Sequence, residues 1–581
     1  MKNIVEKFAI KGEFLDIKPL GHGLINGTFM KKSLLILMAT LMLSGCRQYK
    51  VESEAGVSTV LLSRDKKFLL LPIQEDRGEV QVRVADGTWM DVRLAVDSAD
   101  YYVPLSLDGA KKVEIAGLAD SAATWKLLKL SDSFDTTNKE YYRPEYHFTP
   151  TYGWMNDPNG MTYLDGEYHL FFQYNPYGSK WGNMHWGHAV SEDLVHWTQL
   201  EPAIARDDHG HIFSGSSYIA RLPQGESDPF TASRLLPGDG TEGDFIASYY
   251  TTHSNTAEPG LREQQSFAVS LDHGRTYKKY GAPVLRGDGR SDFRDPKLFW
   301  NEQRDEWGMI VSADNEMQFY ASSNLREWKY VSAFGDGYGV QPRQFECPDF
   351  FKLPLGDGEK WVMIVNVNPG CWFGGSASQY FTGSFDGDSF VCDSPKETVK
   401  WLDWGKDHYA AVTFSCEPKG RVISIPWMSN WQYANDLPTR QYRSQMGMPR
   451  ELFAFQQDGS TYVGQRPVAE MLPLASEHRL ECEIADGGCV ILGNTLGEKV
   501  VISCHDGRIY MDRTKSGIIP SPDFETVTWI PVAQLCGVKP SYQLEFWLDK
   551  CSIELFVEGG KASMTNLVYP SETLTILTNE K

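Results

Sequence analysis

Cysteine pairs at metal-ligand spacing are missing from this 581-residue chain, and so is any regular cysteine rhythm. Apart from Cys46, nine cysteines (Cys347, Cys371, Cys392, Cys416, Cys482, Cys489, Cys504, Cys536 and Cys551) are scattered without one C-x-x-C pair. That pattern implies neither a zinc site nor a dense disulfide framework, and the cysteines read as buried apolar fillers. Positive charge is also scarce. Only 56 basic residues face 76 acidic ones, and the net charge of −20 repels phosphate backbones, which argues against a nucleic-acid partner. Beyond the first 45 residues no apolar run is long enough to span a bilayer. Histidine clusters are few. The stretches "HWGH" (His185, His188) and "DDHGH" (His209, His211) fall in strands and turns where no ligand set is completed, so no metal and no other cofactor is expected.

The long apolar run that is present begins at Met30: "MKKSLLILMATLMLSGC" has two lysines, an apolar core and small residues before Cys46, and it resembles a bacterial lipoprotein signal peptide. On that reading translation starts at Met30, residues 1–29 are an upstream segment, 30–46 are the signal peptide, and Cys46 is the lipidated mature N-terminus. The expected partner is then a membrane, reached through acyl chains. Arg47 and Lys50 follow Cys46 without an acidic run, which favours a membrane-anchored lipoprotein facing the periplasm over surface display.

The chain is too long for one ordinary core, so two or three domains are expected. Residues 47–135 show short alternating runs such as "EVQVRV" and "KKVEIAGL", separated by turn pairs such as Asp86-Gly87 and Asp108-Gly109, the pattern of a small β module. From 140 to 445 one design recurs: an apolar strand, a serine, a polar turn, an aromatic residue. Ser191, Ser270, Ser323 and Ser384 mark four copies at gaps of 79, 53 and 61, and "HYAAVTF" with "RVISIPWMSNW" makes a fainter fifth. Repeating multi-strand units point to a five-bladed β-propeller, with a large sandwich as the alternative. Residues 450–581 return to short strands, including the hairpin "YQLEFWLDKCSIELFVEGG", and suggest a C-terminal β-sandwich. The fold class is all-β. The 17 Trp and 27 Tyr suit stacking on sugar rings and equally suit a large β core.

Three acids share one phase of this repeat. Asp157 in "WMNDPNG", Asp295 in "FRDPK" and Glu346 in "ECPD" each stand at the start of an innermost strand, so a propeller aims them into one funnel. Pro158 biases Asp157 toward an extended backbone, and Asn159-Gly160 is a strong hairpin-turn signal. Taken singly, each acid reads as an ion-pair or turn residue. Together they match glycosidic cleavage, which needs an acid for the leaving oxygen and a carboxylate at the anomeric carbon.

The motifs "YRPEYHFTPTYGWMNDPNG", "FFQYNPYGSKWGNMHWGHAVSEDLVHW", "FSGS", "FRDPK", "ECPD" and "IPWMSNWQYA", in that order, resemble glycoside hydrolase family 32, the β-fructosidases. The resemblance runs from about Tyr142 to near the C-terminus. It implies a five-bladed propeller with a β-sandwich, retention of configuration without a metal, and a fructan or fructo-oligosaccharide substrate. It also implies Asp157 as nucleophile, Glu346 as general acid/base and Asp295 as transition-state stabiliser. Asn156, Gln173, Trp181, Phe213, Ser214, Arg294 and Trp427 match positions that line the fructose pocket. The region 47–132 resembles, more loosely, an accessory domain found in front of some Bacteroidetes members, and serves here as a spacer. The expected activity is exo-hydrolysis releasing fructose from levan or inulin, and possible cleavage of sucrose. The alternatives are an endo-acting levanase, a fructosyltransferase with the same site, a non-catalytic fructan-binding lipoprotein, and an arabinan-cleaving relative.

Overall fold

Alternation dictates the first unit: Val57–Leu62 buries every second side chain, and its neighbours do the same around Val60, Leu69, Leu71, Val103 and Val113. The computed structural model describes residues 48–341 and 343–580, with the side chains of 578–580 left aside. The leader and the lipidation site Cys46 therefore lie outside the described residues. The N-terminal module is a five-stranded sheet against a three-stranded one.

Five antiparallel sheets follow along the chain. Their first strands are Gly153–Leu164, His211–Arg221, Phe293–Asn301, Phe345–Leu355 and Tyr409–Thr413. Each touches the next and the fifth touches the first, which closes them into a ring, the arrangement of a β-propeller. Closure is tied by Tyr442–Arg443, which pairs in parallel with Gly153 and Trp154. These inner strands are buried over most of their length on both faces, so buried and exposed residues do not alternate along them.

Three sequence expectations change. Asn159-Gly160 is not a hairpin turn: both lie inside the strand Gly153–Leu164, and the turn is Asp165-Gly166, at φ 51° and 91° between the paired residues Leu164 and Glu167. Gly160 is needed for closeness instead, since a Cβ there would meet the Trp186 ring at 2.6 Å. The serine of the third repeat is Ser322 rather than Ser323, its Oγ accepting the N–H of Leu325 at 3.0 Å. The sandwich begins later than residue 450, because Arg450–Gln457 and Ser460–Pro467 complete the fifth propeller sheet. A hairpin with one half-exposed face looks the same in either domain, which is why the pattern misplaced it.

The sandwich itself starts at Arg479–Ala485 and packs a four-stranded sheet on a five-stranded one around Leu492, Ile502, Phe546 and Leu555. Buried ion pairs fasten it to the propeller. Arg450 reaches Asp403 at 2.9 Å and also Glu554, Arg513 reaches Asp407, and His147 bridges Asp549 and Glu554 at 2.8 Å each.

Candidate active site

Every innermost strand of the ring carries a bulge at the same level. Met155 faces Tyr174 and Pro158 faces Phe172, so Asn156 and Asp157 stand opposite Gln173 alone. The same two-against-one step falls at Phe213 and Ser214, at Asp295 and Pro296, at Cys347 and Pro348, and at Ala410 and Ala411. A bulge bends the strand and re-aims its side chains; its extra residue makes no ladder bond, so Pro296 and Pro348 fit inside two of the bulges, while Pro158 flanks the first. This is the physical content of "DPN", "RDPK" and "ECPD". Asp295, Cys347 and Ala410 take φ values of 61°, 42° and 51°, a conformation that costs free energy in a non-glycine residue and is held by the surrounding sheet.

The bulges open onto a cavity of about 440 Å³. Asn156, Asp157, Gln173, Trp181, Phe213, Ser214, Arg294, Asp295 and Glu346 all line it. Trp427 does not. It is fully buried on the strand Ile423–Met428, behind Trp431, whose ring centroid lies 4.9 Å away and which takes its place in the wall.

Asp157 is held from three sides. Its Oδ1 accepts from Asn156 Nδ2 at 3.0 Å, and its Oδ2 from Ser214 Oγ at 2.8 Å and from Cys347 Sγ at 3.4 Å. Trp154 Nε1 donates to Asn156 Oδ1 at 2.7 Å and thereby aims the amide. Burial raises the Asp157 carboxyl and the charge of Glu346 adds to this, while the bonds from Asn156, Ser214 and Cys347 work against it. Asp295 Oδ2 accepts the backbone N–H of Cys347 at 2.8 Å. Burial pushes Asp295 up to about 7, outweighing the opposing pull of Arg294 and that N–H.

Glu346 is gripped by a buried charge cluster. Arg294 Nη2 donates to its Oε1 at 3.0 Å and the Tyr409 hydroxyl to its Oε2. The other arm of Arg294 meets Glu263 at 2.9 and 3.0 Å and Asp292 at 2.6 Å. Burial alone would raise Glu263, but Arg294, His253 and the N–H of Phe293 hold it down at about 2. The last acid of "ECPD" acts elsewhere. Asp349 is fully buried in an ion pair with Lys297 of "FRDPK" at 2.7 Å, pinning two neighbouring sheets beneath the site.

Several cavity residues escape the sequence reading: His253, Glu263, Asp292, Arg343, Asn368 and Trp431. Asp292 stands two residues before Arg294 and so on the same side of the chain, a signal that was available. His253 offers none, since its role comes from stacking under Phe213 at 4.5 Å. Gln173 leaves its Nε2 buried and unpartnered beside the acids, a donor without a protein acceptor.

Comparison with known proteins matches residues 147–467 to the glycosyl hydrolases family 32 N-terminal domain and 490–580 to the family 32 C-terminal domain, while 55–146 match a domain of unknown function. A levanase of Bacillus subtilis is 38% identical over 491 residues, covering 77% of this chain and 70% of that protein. An extracellular exo-inulinase of Aspergillus niger is 34% identical over 499 residues, covering 74% and 90%. Among solved structures, an exo-inulinase from Aspergillus awamori superposes with a TM-score of 0.66 at 30% identity, covering 77% of this chain and 98% of that one.

Proposed function

The chain belongs to glycoside hydrolase family 32, and on that premise we propose that it is a retaining β-fructofuranosidase acting on fructans such as levan and inulin, and on sucrose. One observation carries the reading: three carboxylates from three sheets meet in one cavity, with Asp157 oriented by Asn156, Ser214 and Cys347 and Glu346 fixed by Arg294 and Tyr409.

In the first step an Asp157 oxygen attacks the anomeric C2 of fructose as the bond from C2 to the leaving oxygen breaks, and Glu346 gives that oxygen its proton. In the second step Glu346, now a carboxylate, takes a proton from water. The water oxygen attacks C2 and releases Asp157. Asp295 accepts hydrogen bonds from fructose hydroxyls and steadies the charge that develops on the ring. Retention needs the two working carboxyl groups roughly 5 to 5.5 Å apart, leaving no room for a water between acid and nucleophile.

The cavity supports action from a chain end. Its volume is that of a small-ligand site, and Trp181, Phe213 and Trp431 wall it while Gln173, Asn156 and Arg294 face the hydroxyls. A pocket walled by three aromatic rings admits a terminus more readily than a chain interior. A time course from levan and inulin checks this: free fructose from the first minutes supports exo-action, and a ladder of oligosaccharides with little fructose refutes it. A sugar hydroxyl in place of water would give transfer from the same intermediate, and the same time course registers it as products longer than the substrate.

The "LSGC" run supports tethering by acyl chains on Cys46, and Arg47 and Lys50, which follow it without an acidic run, favour the periplasmic face. Replacement of Cys46 by Ala should release the protein from the membrane fraction, and surface labelling of intact cells would reverse the orientation.

A further inference from the structure

Residues 176–184 connect the strands Glu167–Asn175 and His185–Ser191 and carry Trp181 to the rim of the catalytic cavity. The segment has no strand or helix of its own, so no ladder of backbone bonds fixes it. The propeller anchors its two ends, through Asn175 to Tyr177 and Lys180 and through His211 to Met184, and its middle is also anchored from outside the propeller.

Ser179 is fully buried. Its backbone N–H donates to the Tyr101 phenol oxygen at 2.9 Å, and the Tyr101 and Ser179 hydroxyls are also 2.9 Å apart. The Ser179 hydroxyl in turn donates to the Glu75 carboxylate, which can only accept, so Tyr101 must be the donor to Ser179. Arg443 closes the circuit from the propeller side. It stands 3.2 Å from Glu75 and donates to the carbonyls of Ser179 at 2.9 Å and Asn435 at 2.8 Å, and the Asn435 side chain accepts the N–H of Trp181 at 3.2 Å. On the other side of Trp181, Asn183 exchanges two bonds with the backbone of Asp91, at 2.9 and 2.7 Å. Tyr177 packs into the apolar core of the N-terminal module itself.

Glu75, Asp91 and Tyr101 all belong to that module. A spacer in a tether needs only solvent-screened contacts with the domain it carries. A network centred on the buried Ser179 that brackets one rim residue is a different design, since it fixes geometry.

We propose that the N-terminal module is part of the sugar-recognition apparatus, with Tyr101 and Glu75 as positioning residues that set the place of Trp181 through Ser179. That Trp181 touches the sugar rests on the function proposed above; that the module holds the segment does not.

The test uses the full chain in two arms. Tyr101→Phe keeps the ring and removes the hydroxyl, and Glu75→Gln keeps the shape and removes the charge. In hydrogen–deuterium exchange, both should speed exchange of the amides of 176–184 while the five inner strands keep their protection; unchanged exchange there overturns the proposal whatever the enzyme cleaves. In kinetics on sucrose and inulin, both should raise KM roughly fivefold with kcat little changed, the effect of losing about one hydrogen bond's worth of order. In a Trp181→Ala background Tyr101→Phe should add nothing. A fall in kcat alone, or an undiminished effect without Trp181, would show that the module acts otherwise. If the wild type cleaves neither sugar, the function proposed above fails and the exchange arm still decides the placement.

Discussion

The backbone N–H of Cys347 donates to Asp295 Oδ2 at 2.8 Å. The residue that follows Glu346 thus holds the carboxylate of the neighbouring sheet, and the proposed acid/base and stabiliser are tied together. Their shared backbone link means that Asp295 can be altered without freeing Glu346. Asp295→Asn should lower kcat/KM on sucrose by roughly 10²- to 10³-fold, the scale for removing one preorganised charge contact at a reacting centre. Its melting temperature should not fall at pH 8, because a buried charge has been removed. Near-normal turnover would take Asp295 out of the site's chemistry.

Asp157→Ala should reduce turnover by at least about 10³-fold while leaving circular dichroism and melting unchanged within error, since the nucleophile has no substitute among its neighbours. Ser214→Ala and Asn156→Ala, which each remove one donor to Asp157, should cost less. An Asp157→Ala variant with more than a few per cent of wild-type kcat would remove this residue from the role.

The two tryptophans of "IPWMSNW" should separate cleanly. Trp431→Ala, at the cavity wall, should raise KM roughly tenfold with little loss of stability. Trp427→Ala leaves a void between Trp154, Tyr409 and Trp431 and should cost about 3–5 kcal/mol of stability. Thermal melts beside steady-state kinetics read both, and the reverse pattern would put Trp427 back in the pocket.

Stability should fall on the alkaline side through His147. Burial alone would lower its pKa, but Glu554 and Asp549 outweigh that and raise it to about 9 from 6.5. A raised folded pKa means the contribution is fully present below pH 6.5 and is lost as pH climbs through 9. The shift corresponds to something on the order of 3 kcal/mol. Asp549 and Glu554 lie below the ordinary carboxylate range, although burial pushes both upward, because His147 holds Asp549 down and Arg450 and His147 hold Glu554 down. Their share is present above that range and is lost in acid. Denaturant melts from pH 6 to 10 should show the decline for the wild type and a flatter profile for His147→Gln; parallel profiles would contradict it.

That Asp157, Asp295 and Glu346 meet in one cavity was legible because a propeller repeats its geometry: each lies in or next to the bulge of an inner strand, and that recurrence survives in a linear string even though the three are offset by a residue from one strand to the next. Proline at the three bulges nearest the acids, Pro158, Pro296 and Pro348, added a local mark. What stayed hidden depends on register or on distant packing. Gly160 reads as a turn until Trp186 is seen against it. Trp427 and Trp431 differ by four residues, and only the strand's end at Met428 decides which reaches the cavity. The cluster around Arg294 draws Glu263 from another sheet, and the bond from Tyr101 to Ser179 crosses 78 residues, separations that no local pattern carries.

The central claim is a covalent fructosyl intermediate on Asp157, and the stereochemistry of transfer tests it most directly. Fructose released into water loses its anomeric record by mutarotation, but a methyl fructoside keeps it. Wild-type enzyme turning over sucrose in aqueous methanol should form methyl β-fructofuranoside, identified by proton NMR, because two displacements restore the starting configuration. Formation of the α-anomer would mean a single displacement by solvent across the ring, and would contradict Asp157 as the nucleophile.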